Sequence, residues 1–157
     1  MERKERKIMV AVDERQESMF ALSWCITKLI SDTPNVKLVL LYVKPPPPTH
    51  SFNAAWHIFS RDVVSVMEKH GKDLANSVME SAEAICKKLN TTTIEMERVV
   101  GCGDAKDVIC SVVQKLEVDT LVLGTHGYGF LKRAFLGSVS DYCARHAKCA
   151  VVIVKHP

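Results

Sequence analysis

The sequence predicts an α/β domain in which a doubly wound, five-stranded parallel sheet has helices on both faces. Short apolar runs rich in Val, Ile and Leu recur along the chain, and segments with helical periodicity separate them. Strands that alternate with helices form right-handed βαβ crossovers, which produce a parallel sheet covered on both sides. The predicted strands are Ile8–Val12, Val36–Val43, Thr93–Val100, Thr120–Leu123 and Ala150–Val154.

The polarity of each run predicts its place in the sheet. All but the third show little polar alternation, which is typical of strands buried on both faces. Thr93–Val100 alternates polar and apolar residues, so we expect an edge strand with one face in water. Ala150–Val154 is wholly apolar. An exposed edge of this kind invites pairing with another chain, so we expect a homodimer formed through this strand.

Apolar residues at three- and four-residue steps predict the helices. A first stripe runs from Met19 to Leu29, and a long second helix is predicted from near Ile58 to Leu89, with a break or bend at Gly71. Asp104 resembles a helix cap, and a short last helix begins near Ser138. The predicted core side chains of the long helix are Val63, Met67, Leu74, Val78, Ala82, Ile85 and Leu89.

Length and charge limit the class of protein. The 157 residues suit a single domain, 1–157, with enough apolar content for a real core. A net charge of +3, with scattered basic residues, does not predict a nucleic-acid partner. No run approaches the roughly 20 apolar residues of a membrane-spanning helix, so we expect no membrane partner. The expected compartment is the cytoplasm, with the nucleus also open.

The six cysteines do not follow the spacing of a metal site or a disulfide framework. None forms a C-x-x-C pair, and no histidine lies at zinc-finger spacing. We expect free thiols in a reducing compartment, several of them buried. Cys102, between two glycines, is a candidate redox-active thiol, although an unreactive loop thiol is the simpler interpretation.

The segment from Gly124 to Ser140 is the most informative about function. It follows a predicted buried strand and leads into a helix. Glycines let backbone N–H groups approach an anion, and a helix N-terminus favours phosphate. Lys132 and Arg133 add positive charge nearby. A second interpretation stays open, in which the glycines only form turns and Ser138 only caps the helix.

Two familiar phosphate-binding loops are excluded. The sequence contains no GxxxxGK[ST], so it is not a P-loop NTPase. Gly101-Cys-Gly103 and Gly127-Tyr-Gly129 both lack the third glycine of the dinucleotide fingerprint GxGxxG.

The pattern Gly124-x2-Gly127-x9-Gly137-Ser138 resembles the nucleotide-binding motif of the universal stress protein family. The resemblance covers nearly the whole chain, and the proline-containing loop and His146–Cys149 are most similar to plant members. It implies the Rossmann-like, adenine nucleotide alpha hydrolase-like fold, and dimerisation through the last strand. It also implies a regulatory protein of the stress response or signalling that binds ATP or AMP, with Mg²⁺ accompanying ATP. The segments similar to the family's strands and helix entry are Lys7–Asp13, Leu38–Val43, Gly101–Asp104 and Ala150–Val154.

The resemblance further implies a mononucleotide site built from three stretches. Asp13 matches the acidic residue on the ribose or adenine side, although a helix-capping role is its alternative. Val43 matches the residue that binds adenine through its main chain, and Leu123 abuts the base. Many members have proline where this chain has Ala11. The other implied contacts are Ala11 and Val12 beside the base, and Gly124, Gly127, Gly137, Ser138, Val139 and Ser140 for phosphate and ribose.

The motifs favour a nucleotide-binding module over a dedicated enzyme. The sequence contains no HExxH or GxSxG motif, and we assign no catalytic and no metal-binding residue. His126 is the one evident base candidate in the loop, where a packing role is more common. A slow ATPase using His126 and Asp13 stays open, as does a redox-sensitive interaction protein or holdase-type chaperone. The protein partner that reads the bound state is unknown.

Overall fold

A computed structural model describes residues 4–46, 61–89, 94–126 and 137–157. The strands in these ranges are β1 Arg6–Ala11, β2 Val36–Lys44, β3 Glu95–Cys102, β4 Thr120–His126 and β5 Ala150–His156. They form one sheet in the order β3-β2-β1-β4-β5, and every pairing is parallel. The predicted doubly wound α/β fold is confirmed. The strand order reverses between β1 and β4, which is the switch point of such sheets.

In the described residues, four helices cover the sheet. They are α1 Gln16–Cys25, which continues into a π-helical turn over Ile26–Ile30, α2 Arg61–Lys88, α3 Ala105–Lys115 and α4 Ser138–His146. The last helix begins where the sequence predicts. No helix within the described ranges is long and apolar enough to cross a membrane.

Two apolar clusters lie on opposite faces of the sheet. Val10 and Leu40 belong to the cluster that α1 and α2 complete. Met9 and Leu41 belong to the cluster that α3 and α4 complete. Successive side chains of a strand point to opposite faces, so a continuous apolar run fills both clusters.

β3 and β5 form the two edges of the sheet. In β3, Met96 packs on the core, whereas the carboxylates of Glu95 and Glu97 accept from Lys37 Nζ at 3.1 and 3.2 Å. The predicted edge position is confirmed, but the exposure is not confined to one face, because Val100, on the same face as Met96, is 48% exposed. β5 is partly exposed over Val151–Ile153, because no further strand of this chain lies beyond it in the described sheet.

The first half of α2 differs from the prediction. The helix continues through Gly71 without a break, and Val78 and Ala82 are buried as predicted. Val63 and Met67, however, are 43% and 42% exposed, so their assignment to the core is wrong. The helical period is correct, but the core contacts of α2 begin only at Leu74 and Ala75. The predicted start near Ile58 lies outside the described residues.

Gly101 and Gly103 let α3 pack closely on the end of β3. A Cβ at position 101 would lie 2.5 Å from Val108 Cγ1, and Gly103 has a φ of +137°. Asp104 is the N-cap residue of α3, as predicted, and its carboxylate accepts from Lys106 Nζ at 2.8 Å. Cys102 ends β3 and is exposed, with Sγ 3.7 Å from the Pro45 carbonyl oxygen.

Candidate functional site

A cavity of about 280 Å³ opens at the carboxyl end of the sheet, beside the switch point between β1 and β4. The first turns of α1, α3 and α4 surround it. Ligands of open α/β sheets bind in this crevice. All but one of the predicted site residues line the cavity: Ala11, Val12, Asp13, Val43, Leu123, Gly124, Gly137, Ser138, Val139 and Ser140. Gly127 lies outside the described residues.

Asp13 holds the turn that leads from β1 into α1. Its Oδ1 accepts from the backbone N–H of Arg15 at 2.9 Å, and its own N–H donates to Ser18 Oγ at 2.9 Å. The Ser18 hydroxyl lies 3.1 Å from the carbonyl oxygens of Asp13 and Arg15. Asp13 therefore has a structural role in the turn, and it also lines the cavity.

Val43 directs its backbone polar groups toward the cavity. The pairing of β1 with β2 ends at Ala11 and Leu41, where Val12 N–H donates to the Leu41 carbonyl at 2.8 Å. One residue beyond Val43, the Lys44 carbonyl accepts from Gly103 on the opposite side of β2. In a parallel ladder the backbone groups of alternate residues point to the same side. Those of Val43 therefore point to the β1 side, beyond the end of β1.

The wall of the cavity next to Val43 is apolar. Leu41 and Leu123 are 0% and 4% exposed and belong to the same core cluster. Ala105 and Ile109 from the first turns of α3 complete this wall. Such a surface suits a flat, apolar ring better than a charged group, because it offers no side-chain partner for charge.

The first turn of α4 forms the opposite side of the cavity. The helix begins at Ser138 after Gly137, whose hydrogen side chain cannot cap it. The N–H groups of a first helical turn have no partner within the helix, and the positive end of the dipole favours an anion. The hydroxyl-bearing residues Ser140 and Thr125 also line the cavity and are 5% and 7% exposed. This side is suited to a phosphate group.

Gly124 lies within β4, opposite Val154 of β5, and not in the loop that follows. A Cβ at this position would lie 2.2 Å from the carbonyl oxygen of Glu17. Glycine is therefore required here by the packing of α1 on β4. The predicted end of this strand at Leu123, with the glycine-rich segment starting at Gly124, is wrong, because the strand continues to His126.

Three side chains that the sequence analysis placed near the phosphate lie outside the described part of the chain. Lys132 and Arg133 lie outside the described residues. His126 ends β4 in register with His156, but its side chain is also outside the described part of the chain. In the ranges that are described, no three His, Cys, Asp or Glu residues are grouped to hold a metal ion.

Sequence reasoning missed part of the cavity lining. Arg15, Glu17 and Ser18 bring the start of α1 to the cavity, and Thr125 lies beside Gly124 on β4. The available signal for Thr125 was a polar residue that follows the buried run Leu121–Leu123 after one glycine. Burial raises the pKa of the Tyr42 hydroxyl, and the charges of Glu14 and Asp13 add to this effect.

Comparison with known proteins gives the family. Residues 5–155 match the family model described as the universal stress protein family. The Arabidopsis thaliana universal stress proteins PHOS32 and PHOS34 are 30% and 29% identical to this chain, each over 97% of its length. The matches span 65% and 62% of those two proteins, which is less than two thirds of their length. A universal stress protein A-like protein of the same plant is 30% identical over 86% of this chain and 76% of its own.

Solved structures share the fold. A universal stress protein family protein from Arabidopsis thaliana with AMP bound has a TM-score of 0.69 and 26% identity, and the match covers 97% of this chain and 92% of that one. The universal stress protein UspA from Lactobacillus plantarum has a TM-score of 0.71 and 21% identity, over 97% and 99% of the two chains. With the family match covering nearly every residue, this chain belongs to the universal stress protein family.

Proposed function

We propose that this chain is an adenine-nucleotide-binding regulatory protein that acts in stress response or signalling, with ATP or AMP as its ligand. One observation carries the proposal. The cavity at the switch point combines an exposed main-chain edge at Val43, an apolar wall and a helix N-terminus. The first two surfaces suit the edge and the faces of a base, and the third suits a phosphate. The AMP-bound relative, at 26% identity over 97% of this chain, supports the same ligand class.

The base is placed against the apolar wall. Its polar edge pairs with the main-chain N–H and C=O of Val43, while Val12 and Leu123 contact its faces. This arrangement recognises adenine through backbone geometry, so it does not depend on a charged side chain. Ala11 ends β1 beside it and lines the same wall.

The ribose and phosphates extend from there toward α4. The Asp13 carboxylate accepts from a ribose hydroxyl, as acidic residues after a first strand do in related α/β sites. The backbone N–H groups of Ser138, Val139 and Ser140 bind phosphate, with Gly137 and Gly127 allowing close approach. When ATP is bound, Mg²⁺ would accompany its phosphates and offset part of their charge.

The protein is proposed to work as a homodimer in the cytoplasm. The partly exposed, apolar β5 at the edge of the described sheet offers its outer side to the same strand of a second copy. All six cysteines are free thiols, which fits a reducing compartment. Nucleotide occupancy would be read by a protein partner, and not by nucleic acid or a membrane.

The test is to denature the purified protein and identify the released small molecules by ion-exchange chromatography with mass detection. Wild type is expected to release ATP, ADP or AMP in an amount comparable to the protein. The matched control is Gly137→Ala, which adds one methyl group at the start of α4 and is expected to release much less. Wild type that releases no nucleotide, and binds neither ATP nor AMP in calorimetry, would contradict the proposal.

A further inference from the structure

Two cysteines on neighbouring helices bring their sulfur atoms together. Cys110 lies on α3 and Cys143 on α4, and the two Sγ atoms are 4.0 Å apart. The residues are 33 positions apart in sequence, so the fold creates this contact. We propose that Cys110 and Cys143 are a redox-sensitive pair that closes to a disulfide in the presence of a peroxide.

The surroundings of the pair differ from those of the other cysteines. Cys110 is partly exposed, which gives a small oxidant access, whereas Cys143 is fully buried. Cys25 and Cys86 are both 0% exposed, and Cys102 is exposed on β3 beside the Pro45 carbonyl. The proposed pair therefore combines an accessible thiol with a second thiol in contact with it.

The distance between the sulfur atoms is short enough for a bond after a small movement. A disulfide has an S–S length of about 2.05 Å, so the two atoms must approach by about 2 Å. Side-chain rotation together with a slight approach of α3 and α4 can provide this movement. Cys149 belongs to the same apolar cluster and is the competing partner that a test must distinguish.

The chemistry balances with a peroxide as the oxidant. The Cys110 thiolate attacks a peroxide oxygen, which gives a sulfenic acid on Cys110 and one water. The Cys143 sulfur then attacks the Cys110 sulfur, so that the S–S bond forms, the S–O bond breaks and the hydroxyl leaves with a proton as a second water. The two thiols together lose two electrons, and the peroxide gains them.

Burial raises the pKa of the Cys143 thiol to about 12, and the neighbouring Cys110 adds to this effect. Cys143 is therefore protonated at neutral pH and acts as the resolving thiol, not as the first to react. The second step is expected to be slow at pH 7 and to accelerate as the pH rises.

The disulfide would also change the shape of the cavity. The effect on nucleotide binding that follows from this rests on the proposed function. α3 contributes Ala105 and Ile109 to the cavity, and α4 contributes Ser138–Ser140. Drawing the two helices together narrows the space between them. Oxidation is therefore expected to weaken nucleotide binding.

Trypsin separates the three cysteines of this region, which makes the pairing measurable. Cys110, Cys143 and Cys149 fall in the peptides 107–115, 134–145 and 149–155. The reduced full-length protein is treated with hydrogen peroxide, its remaining thiols are alkylated, and the digest is analysed by mass spectrometry. We expect a peptide that joins 107–115 to 134–145 and disappears on reduction.

Two variants control the experiment. Cys110→Ser should abolish the joined peptide, whereas Cys102→Ser, at the exposed thiol on β3, should leave it unchanged. Recovery of Cys110 and Cys143 as alkylated thiols after peroxide treatment would overturn the proposal. A predominant bond from Cys149 to either residue would also overturn it.

The coupling to the cavity is measured separately, with AMP as the probe in calorimetry. Oxidised wild type is expected to bind AMP several-fold more weakly than reduced wild type, and oxidised Cys110→Ser to bind it as the reduced protein does. Equal affinity of the two wild-type forms would overturn the coupling. If the proposed nucleotide-binding function is wrong, the result is different, because reduced wild type would then not bind AMP at all.

Discussion

Gly124 of β4 packs directly against the backbone of Glu17 at the start of α1. A Cβ at position 124 would lie 2.2 Å from the Glu17 carbonyl oxygen and 2.6 Å from its carbonyl carbon. Both contacts are with backbone atoms, which cannot move aside as a flexible side chain can. The close approach of α1 to β4 at the cavity therefore depends on this glycine.

Gly124→Ala is expected to destabilise the fold by about 1–3 kcal/mol, the usual range for overpacking, because α1 must shift away from the sheet. Denaturant unfolding followed by circular dichroism measures the change. A loss below about 0.5 kcal/mol would show that α1 relaxes freely, and it would contradict this account of the glycine.

Gly137→Ala is expected to behave differently from Gly124→Ala. Gly137 has a φ of −56°, which any L residue adopts, and a Cβ there would lie 4.0 Å from Thr125 Oγ1, an ordinary van der Waals distance. We expect a loss of about 0.5–1 kcal/mol at most, from the poorer N-cap preference of alanine. The same unfolding measurement applies. A larger loss would mean that missing nucleotide in this variant reflects unfolding and not a filled phosphate site.

The strands could be predicted because a strand buried on both faces appears in the sequence as a continuous apolar run. The ends of the strands could not be predicted in this way. Polarity placed the end of β4 at Leu123, whereas pairing with β5 extends it through Thr125 and His126. Pairing between distant segments leaves no local signal in a sequence. Periodicity likewise detected α2, but it could not show that the core begins only at Leu74 and Ala75.

The sequence predicted the parts of the candidate site that a motif marks. It did not predict the parts that depend on how the strands pair. Gly137 and Ser138 stand out because glycine and serine precede a helical pattern. The outward-facing backbone of Val43 follows from β1 ending two residues earlier in the ladder, which only the structure shows. Ser18 was not predicted because its hydroxyl accepts from the Asp13 backbone N–H, a contact within the turn that no sequence motif marks.

Gly101→Ala is expected to destabilise the fold by about 1–3 kcal/mol, because the new methyl would meet Val108 Cγ1 at 2.5 Å. The obstacle is a side chain here, so a second substitution can relieve it. The double variant Gly101→Ala/Val108→Ala should therefore lose less stability than the sum of the losses measured for the two single variants. Additive losses in this double-mutant cycle would contradict direct contact between the two positions.

Two valines on α2 should respond in opposite ways to substitution. Val66 is 68% exposed, so Val66→Gln is expected to change the free energy of unfolding by less than about 0.5 kcal/mol. Val78 is 4% exposed within the core, and Val78→Ala should cost about 1–3 kcal/mol through lost burial and a cavity. Thermal unfolding of both variants compares the two halves of the helix. Similar losses for the two would show that the first half of α2 also packs on a core.

The ion pair between Glu83 of α2 and Arg98 of β3 predicts a pH-dependent contribution to stability. Hydrogen bonding to the Arg98 guanidinium lowers the pKa of the Glu83 carboxyl. Such a group stabilises the fold above its unfolded pKa of about 4.3, and the contribution is lost as the pH falls through the lower folded value. Glu83→Gln should therefore cost up to about 1 kcal/mol at neutral pH and nothing once the carboxyl is protonated in both states. Urea unfolding across this pH range tests the prediction, and about 1 M salt should reduce the difference at neutral pH. A difference between wild type and variant that persists unchanged into acid would mean that the side chain acts through packing and not through its charge.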